Sequence, residues 1–194
     1  MNHNHASIRR MTALSLLTAI VVVLQLIGGS FRIGPIPFSL VLVPIVVGAV
    51  LYGPLAGGFL GAVFGFVVLI GGITGTDQFT FILWSSSPVW TALLCLGKGA
   101  LAGVASGLVY RATGKFTTLG CILSAVVCPI VNTGIFALGM LTVLRDNFLD
   151  FAGGSDVLTF LFTVLIGVNF FVELGINSVL SAAITRVVKA VKKI

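Results

Sequence analysis

Two charged residues, Lys98 and Glu173, stand inside stretches of the chain that are otherwise apolar, and two asparagines, Asn132 and Asn169, lie at a comparable distance into their own stretches. A charge held in lipid costs ~2.5 kcal/mol or more, so such a residue binds, pairs or lines a cavity. An ammonium flanked by carboxamides is equipped to hold an anion, because Lys98 supplies three donors with a charge and each Asn supplies both donors and an acceptor. At the helical rise, Lys98 falls about 15 Å into its stretch, Asn132 and Asn169 about 18 Å, and Glu173 about 24 Å, which is about 9 Å below Lys98. Asn169, Glu173, Asn177 and Ser181 recur every fourth residue and form a polar stripe on one slowly drifting helical face. Two readings follow. Either these groups line a pocket in which Lys98 meets an anionic ligand, or Lys98 pairs with Glu173 and the asparagines join helices by hydrogen bonds of ~0.6 kcal/mol each.

Catalytic chemistry has no footing here. There is no Ser/His/Asp set, no HExxH, no aspartate-rich phosphate motif and no Walker P-loop, and the histidines, His3 and His5, both lie at the start. Cys95, Cys121 and Cys128 sit in apolar runs without a CxxC pair and read as packing residues. Met1, Asn2 and His3 could chelate copper through the amino terminus, but residues 1–8 read as a solvated tail, so no metal and no cofactor is expected.

The elements that carry these residues follow from composition. Of 194 residues, 58% are hydrophobic and 8% charged, against about 25% charged in a soluble domain. That excludes a water-soluble globule and a disordered chain. The charge-free runs divide into six spans near residues 9–28, 38–51, 55–72, 88–110, 116–144 and 157–188, each to be judged against the ~20 residues that cross a bilayer. The expectation is an all-α, six-helix transmembrane bundle forming a single membrane domain over 1–194. Met11 to Gly28 is long for a signal-peptide core and reads as the first membrane helix. Tyr52-Gly53-Pro54 ends one span and opens the next as a hairpin. The second span reaches only about 21 Å, so Gly34-Pro35-Ile36-Pro37 is expected to dip to membrane depth inside the protein.

The net charge of +6 belongs to the ends of the spans rather than to nucleic acid. Arg9, Arg10, Arg111, Lys115, Arg186, Lys189, Lys192 and Lys193 fall on one side and Arg32 and Arg145 on the other, which places both termini in the cytoplasm. Asp77, Asp146, Asp150 and Asp156 fall in the opposite loops, and the segments 73–87 and 145–156 are long enough there for a lid. Phe79, Phe81, Trp84 and Trp90 stand where they either cap a pocket or form an interfacial belt. Gly57, Gly61 and Gly65 on the third span, and Gly99, Gly103 and Gly107 on the fourth, form small-residue stripes of the kind that packs helices closely. Ser15 and Ala19 form a weaker one on the first span, able to meet a helix of this chain or of a partner.

The stretch IGPIPFSLVLVPIVVGAVLYGPLAGGFLGAVFGFVV, the run LGKGALAGVASGLVY and the run CPIVNTGIFALG resemble the substrate-binding membrane subunits, or S-components, of energy-coupling factor transporters. The resemblance covers nearly the whole chain and is nearest to the pantothenate group. It implies a subunit that captures a vitamin, held near the outer side by the last three spans and the loop after the first. The residues assigned to that site are Lys98, Asn132, Asn169, Glu173, Trp84 and Arg32. It also implies partners, one coupling membrane subunit and two ATPases, with Ser15 and Ala19 at the face that meets the coupling subunit in place of the usual paired alanines. Folate, biotin and riboflavin are the alternative cargoes. An integral-membrane enzyme acting on a lipid or prenyl group would need clustered acids and bases where this chain has Glu173 alone, and an assembly factor would not need Lys98.

Overall fold

The computed structural model describes residues 3–28, 32–33, 36–37, 40–113, 117–143, 159 and 168–192. Seven helices lie among them: α1 (His3–Gly28), α2 (Leu42–Tyr52), α3 (Pro54–Ile73), α4 (Gln78–Ser86), α5 (Pro88–Ala112), α6 (Thr117–Leu141) and α7 (Val168–Lys192). Five of these, α1, α3, α5, α6 and α7, contain segments long and apolar enough to cross a membrane. Between α1 and α2, β1 (Arg32–Ile33) and β2 (Ile36–Pro37) pair antiparallel, with Arg32 opposite Pro37 and Ile33 opposite Ile36. This two-residue ladder falls in the connection between the first two spans, where the sequence reading placed the dipping Gly34–Pro37 segment, and the architecture is otherwise helical; Gly34 and Pro35 lie outside the described residues.

Three boundaries differ from the sequence reading. The helix of the first span begins already at His3, because no breaker separates the expected tail from the apolar run. The second helix begins at Leu42 rather than 38 and rises only about 16 Å. It is apolar on every face and is enclosed by α1, α3, α5, α6 and α7, as an all-round hydrophobic helix must be. The segment 73–87, read as a loop, contains α4, which buries Phe79, Thr80 and Leu83 against α3 and α5. Most of 144–167, including the second expected lid and the start of the last span, lies outside the described residues.

The Tyr52-Gly53-Pro54 break falls where Gly and Pro put it. Gly53 takes φ +97° and its N–H returns to Ala49 O at 3.0 Å, while Pro54 opens α3 at a position that needs no N–H. From there α3 lies on α5 backbone to backbone. A Cβ added at Gly57 would come to 2.5 Å from the Gly103 carbonyl oxygen, one at Gly61 would overlap the Gly99 carbonyl, and one at Gly65 the Cys95 carbonyl. The two glycine stripes are therefore one seam, as their spacing predicts.

On the other side of α5, Ser106 and Ser124 of α6 exchange hydrogen bonds. The Ser106 hydroxyl donates to Ser124 O at 3.2 Å and the Ser124 hydroxyl to Ser106 O at 2.9 Å, both buried. Cys95, Cys121 and Cys128 form no disulfide and are buried in the main apolar cluster, which matches their reading as packing residues. Within the apolar segment Ser7–Gly28 of α1, Val21 alone is fully buried, with Leu14, Leu17 and Leu24 packed in part against the core.

Candidate functional site

Thr91, Cys95 and Lys98 lie on one face of α5 by their spacing of four and then three residues. The α3–α5 seam fixes this face, since Gly65 packs on the Cys95 carbonyl and Phe64 of α3 follows beside Lys98. The half-buried Lys98 ammonium stands 4.9 Å from the ring centre of Phe136 on α6 and 5.8 Å from that of Phe64. Two aromatic faces hold the cation by ~1 kcal/mol or more each without neutralising it. Phe136 is backed in turn by Phe79 of α4, with ring centres 6.0 Å apart and planes inclined at 58°. The site is thus walled by α3, α5 and α6 and roofed by α4.

One turn before Phe136 on the same face of α6 is Asn132, buried, with an Oδ1 that has no hydrogen-bond partner among the described residues. Pro129 lies between Asn132 and Cys128 and lacks the N–H that would bond Ala125 O, so the helix ladder is interrupted beside the site. One further turn back, Cys128 is close enough to Glu173 of α7 to interact with it electrostatically. Asn132 therefore stands between a Lys98 end and a Glu173 end, separated along α6 by the eight residues from Cys128 to Phe136, or about 12 Å.

The polar stripe of α7 faces inward: Glu173, Asn177, Ser181 and Thr185 are all buried. Much of it is satisfied along its own helix. Asn177 Nδ2 donates to Glu173 O at 2.9 Å, Ser181 Oγ to Ser178 O at 2.6 Å and Thr185 Oγ1 to Ser181 O at 2.8 Å. The Asn177 Oδ1 is left without a partner among the described residues. α7 packs mainly on α6 and α2 and shares no extensive seam with α5 among the described residues, so Lys98 and Glu173 reach the interior from helices that do not pack closely on each other there.

The remaining expected residues separate. Trp84 is half-buried and packs on the apolar cluster. Of the other aromatics, Phe79 turns inward, whereas Phe81 and Trp90 are exposed. Trp90 lines an apolar groove of about 240 Å³ with Leu94, Gly97, Leu101, Ile135 and Gly139 on the flank of α5 and α6, and neither Lys98 nor Asn132 contributes to it. Arg32 falls in β1 and Asn169 is the second residue of α7, but both side chains lie outside the described residues. Ser15 and Ala19 are exposed on α1, one turn apart.

Two buried polar groups outside the expected set escape a reading from sequence. Asp77 immediately precedes α4, and its Oδ1 is buried without a partner; Thr91 is fully buried and its hydroxyl is likewise unpartnered among the described residues. The spacing of Thr91, Cys95 and Lys98 signals the second. Nothing in the sequence signals the first, because it depends on α4 folding back against α5.

Residues 9–185 match the family model described as ECF transporter, substrate-specific component. No curated protein and no solved structure gave a match.

Proposed function

Since the chain belongs to the substrate-specific components of energy-coupling factor transporters, we propose that it captures an anionic vitamin, foremost pantothenate, beside Lys98. It is a multi-pass protein of the cell membrane and a substrate-binding subunit rather than an enzyme, and ATP hydrolysis belongs to separate subunits of the transporter. The carrying observation is the Lys98 ammonium, held over Phe136 and Phe64 on the side of α6 where the Asn132 Oδ1 lacks a hydrogen-bond partner among the described residues. A ligand carboxylate meeting that ammonium in a site closed by α4 gains a charge-assisted hydrogen bond in place of water. Asn132 answers a neighbouring donor of the ligand, and Asn169, Glu173, Trp84 and Arg32 complete the assigned set.

Six segments cross the membrane in this reading, with α2 and the expected dip of residues 34–37 together completing the five long helices and both termini cytoplasmic, in accord with the distribution of Lys and Arg. The exposure of Ser15 and Ala19 on the nearly unburied α1 supports a docking face for the coupling subunit, because small side chains let a partner helix approach. The test is calorimetry of the purified chain against pantothenate, folate, biotin and riboflavin. Sub-micromolar binding of pantothenate is expected; tight binding of another vitamin reassigns the cargo, and binding of none overturns the reading.

A further inference from the structure

We propose that Asp77 and Thr91 form a second anchor in this site, one that receives a ligand hydroxyl, so that the cargo joins an anionic group held by Lys98 to a hydroxyl held at the base of α4. The proposal rests on the reading of Lys98 as the anion partner and adds the chemistry of the ligand's other end.

The Asp77 carboxylate is fixed from two sides. Its backbone N–H donates to Gly71 O at 3.0 Å, at the last turn of α3, and the Thr80 hydroxyl donates to its Oδ2 at 2.6 Å. Asp before a helix ordinarily turns its oxygens onto the free N–H groups of the first turn. Asp77 makes no such cap. Its Oδ1 is instead buried and unpartnered among the described residues, an arrangement that is unfavourable until a donor arrives.

Asp77 and Lys98, though opposite in charge, make no ion pair with each other. Thr91, one turn from Cys95 on the same face of α5, has a fully buried and unpartnered hydroxyl. The Gly65–Cys95 contact fixes the antiparallel register of α3 and α5, which sets Gly71, the backbone anchor of Asp77, and Thr91 at the same end of the seam. An acceptor and a hydroxyl open at one end of the seam are answered by one kind of group. A ligand hydroxyl donates to Asp77 Oδ1 and accepts from Thr91 Oγ1, whereas an amide N–H serves only the carboxylate.

Two probes separate the ends of the site: pantothenate, and N-(3,3-dimethylbutanoyl)-β-alanine, which keeps the carboxylate, the amide and the carbon skeleton but lacks both hydroxyls. Calorimetry of the full chain in nanodiscs should show the wild type binding pantothenate about 10- to 100-fold more tightly than the dideoxy probe, the range of a hydrogen bond to a charged group. Asp77→Leu should remove that preference by weakening pantothenate alone, while Lys98→Ala weakens both probes together. Equal affinity of the wild type for the two probes, or a preference that survives in Asp77→Leu, overturns the hydroxyl anchor and leaves the Lys98 reading standing. Binding of neither probe overturns the hydroxyl anchor together with the choice of pantothenate, and overturns the Lys98 reading as well if folate, biotin and riboflavin also fail to bind. If Asp77→Leu fails to fold, the isosteric Thr91→Val decides, since it must narrow the preference, and an unchanged preference there overturns the proposal.

Discussion

Replacing Lys98 by Ala separates the two readings of this residue most directly. In the structure the ammonium is half-buried, with Phe136 at 4.9 Å and Phe64 at 5.8 Å, and it makes no ion pair among the described residues. Removing it therefore leaves no stranded carboxylate, and the folded chain should lose only the cation–π attraction, ~1–2 kcal/mol for a partly desolvated ammonium over two rings, against a comparable relief of desolvation. Ligand binding has no such compensation. A carboxylate that has left water for a site walled by Phe64 and Phe136 loses a charge-assisted hydrogen bond worth ~2–3 kcal/mol, which corresponds to a weakening of about 30- to 150-fold. Calorimetry reports the affinity, and thermal unfolding on the same sample reports the fold. An unchanged affinity, or a loss of affinity that only accompanies unfolding, would refute the argument and return Lys98 to a structural role. Phe136→Leu should fall between, because it loosens the ammonium without removing the charge.

Gly61→Val should cost ~3 kcal/mol in thermal unfolding, because its Cβ meets the Gly99 carbonyl, a backbone atom that cannot rotate away. Gly97→Ala is the matching control: a Cβ there has nothing within 4 Å, so stability should hold or rise by ~0.5–1 kcal/mol. Ser106→Ala and Ser124→Ala should each cost ~1 kcal/mol, with a double-mutant cycle showing that the two losses are coupled. Ser15→Trp combined with Ala19→Trp should abolish co-purification with the coupling module and ATP-dependent uptake while calorimetry on the isolated chain stays unchanged, since that face of α1 is exposed; normal assembly would refute the docking face.

The long helices are legible because glycine and proline punctuate them. Pro54 and Pro88 begin α3 and α5 within a residue of where the sequence places them, and the glycine stripes identify the faces that meet. α4 is not legible. Gln78–Ser86 mixes Thr and Ser with aromatics, and its buried side consists of Phe79, Thr80 and Leu83, a pattern as suitable for a membrane rim as for a packed helix. The depth of Lys98 follows from counting along one helix, but its neighbours come from α3 and α6, and only the packing of those helices determines them. Asp77 illustrates the same limit, since an acid in an external connection reads as solvated until a short helix folds back and buries one of its oxygens.

The glycine seam also constrains how the site can move. Where side chains separate two helices, rotamer changes let the helices slide and the cavity between them breathe. Between α3 and α5 only backbone intervenes at Gly57, Gly61 and Gly65, so any slide drives carbonyl oxygens against the opposing chain. These two helices are a fixed wall, and Lys98, Thr91 and Phe64 keep their mutual spacing whether or not cargo is present. In the proposed site, entry and release are then the work of the opposite wall: α4, tied to the fixed side through the Asp77 turn and the Gly72–Thr80 contact, and α6, whose hydrogen-bond ladder is interrupted at Pro129, one turn below Asn132.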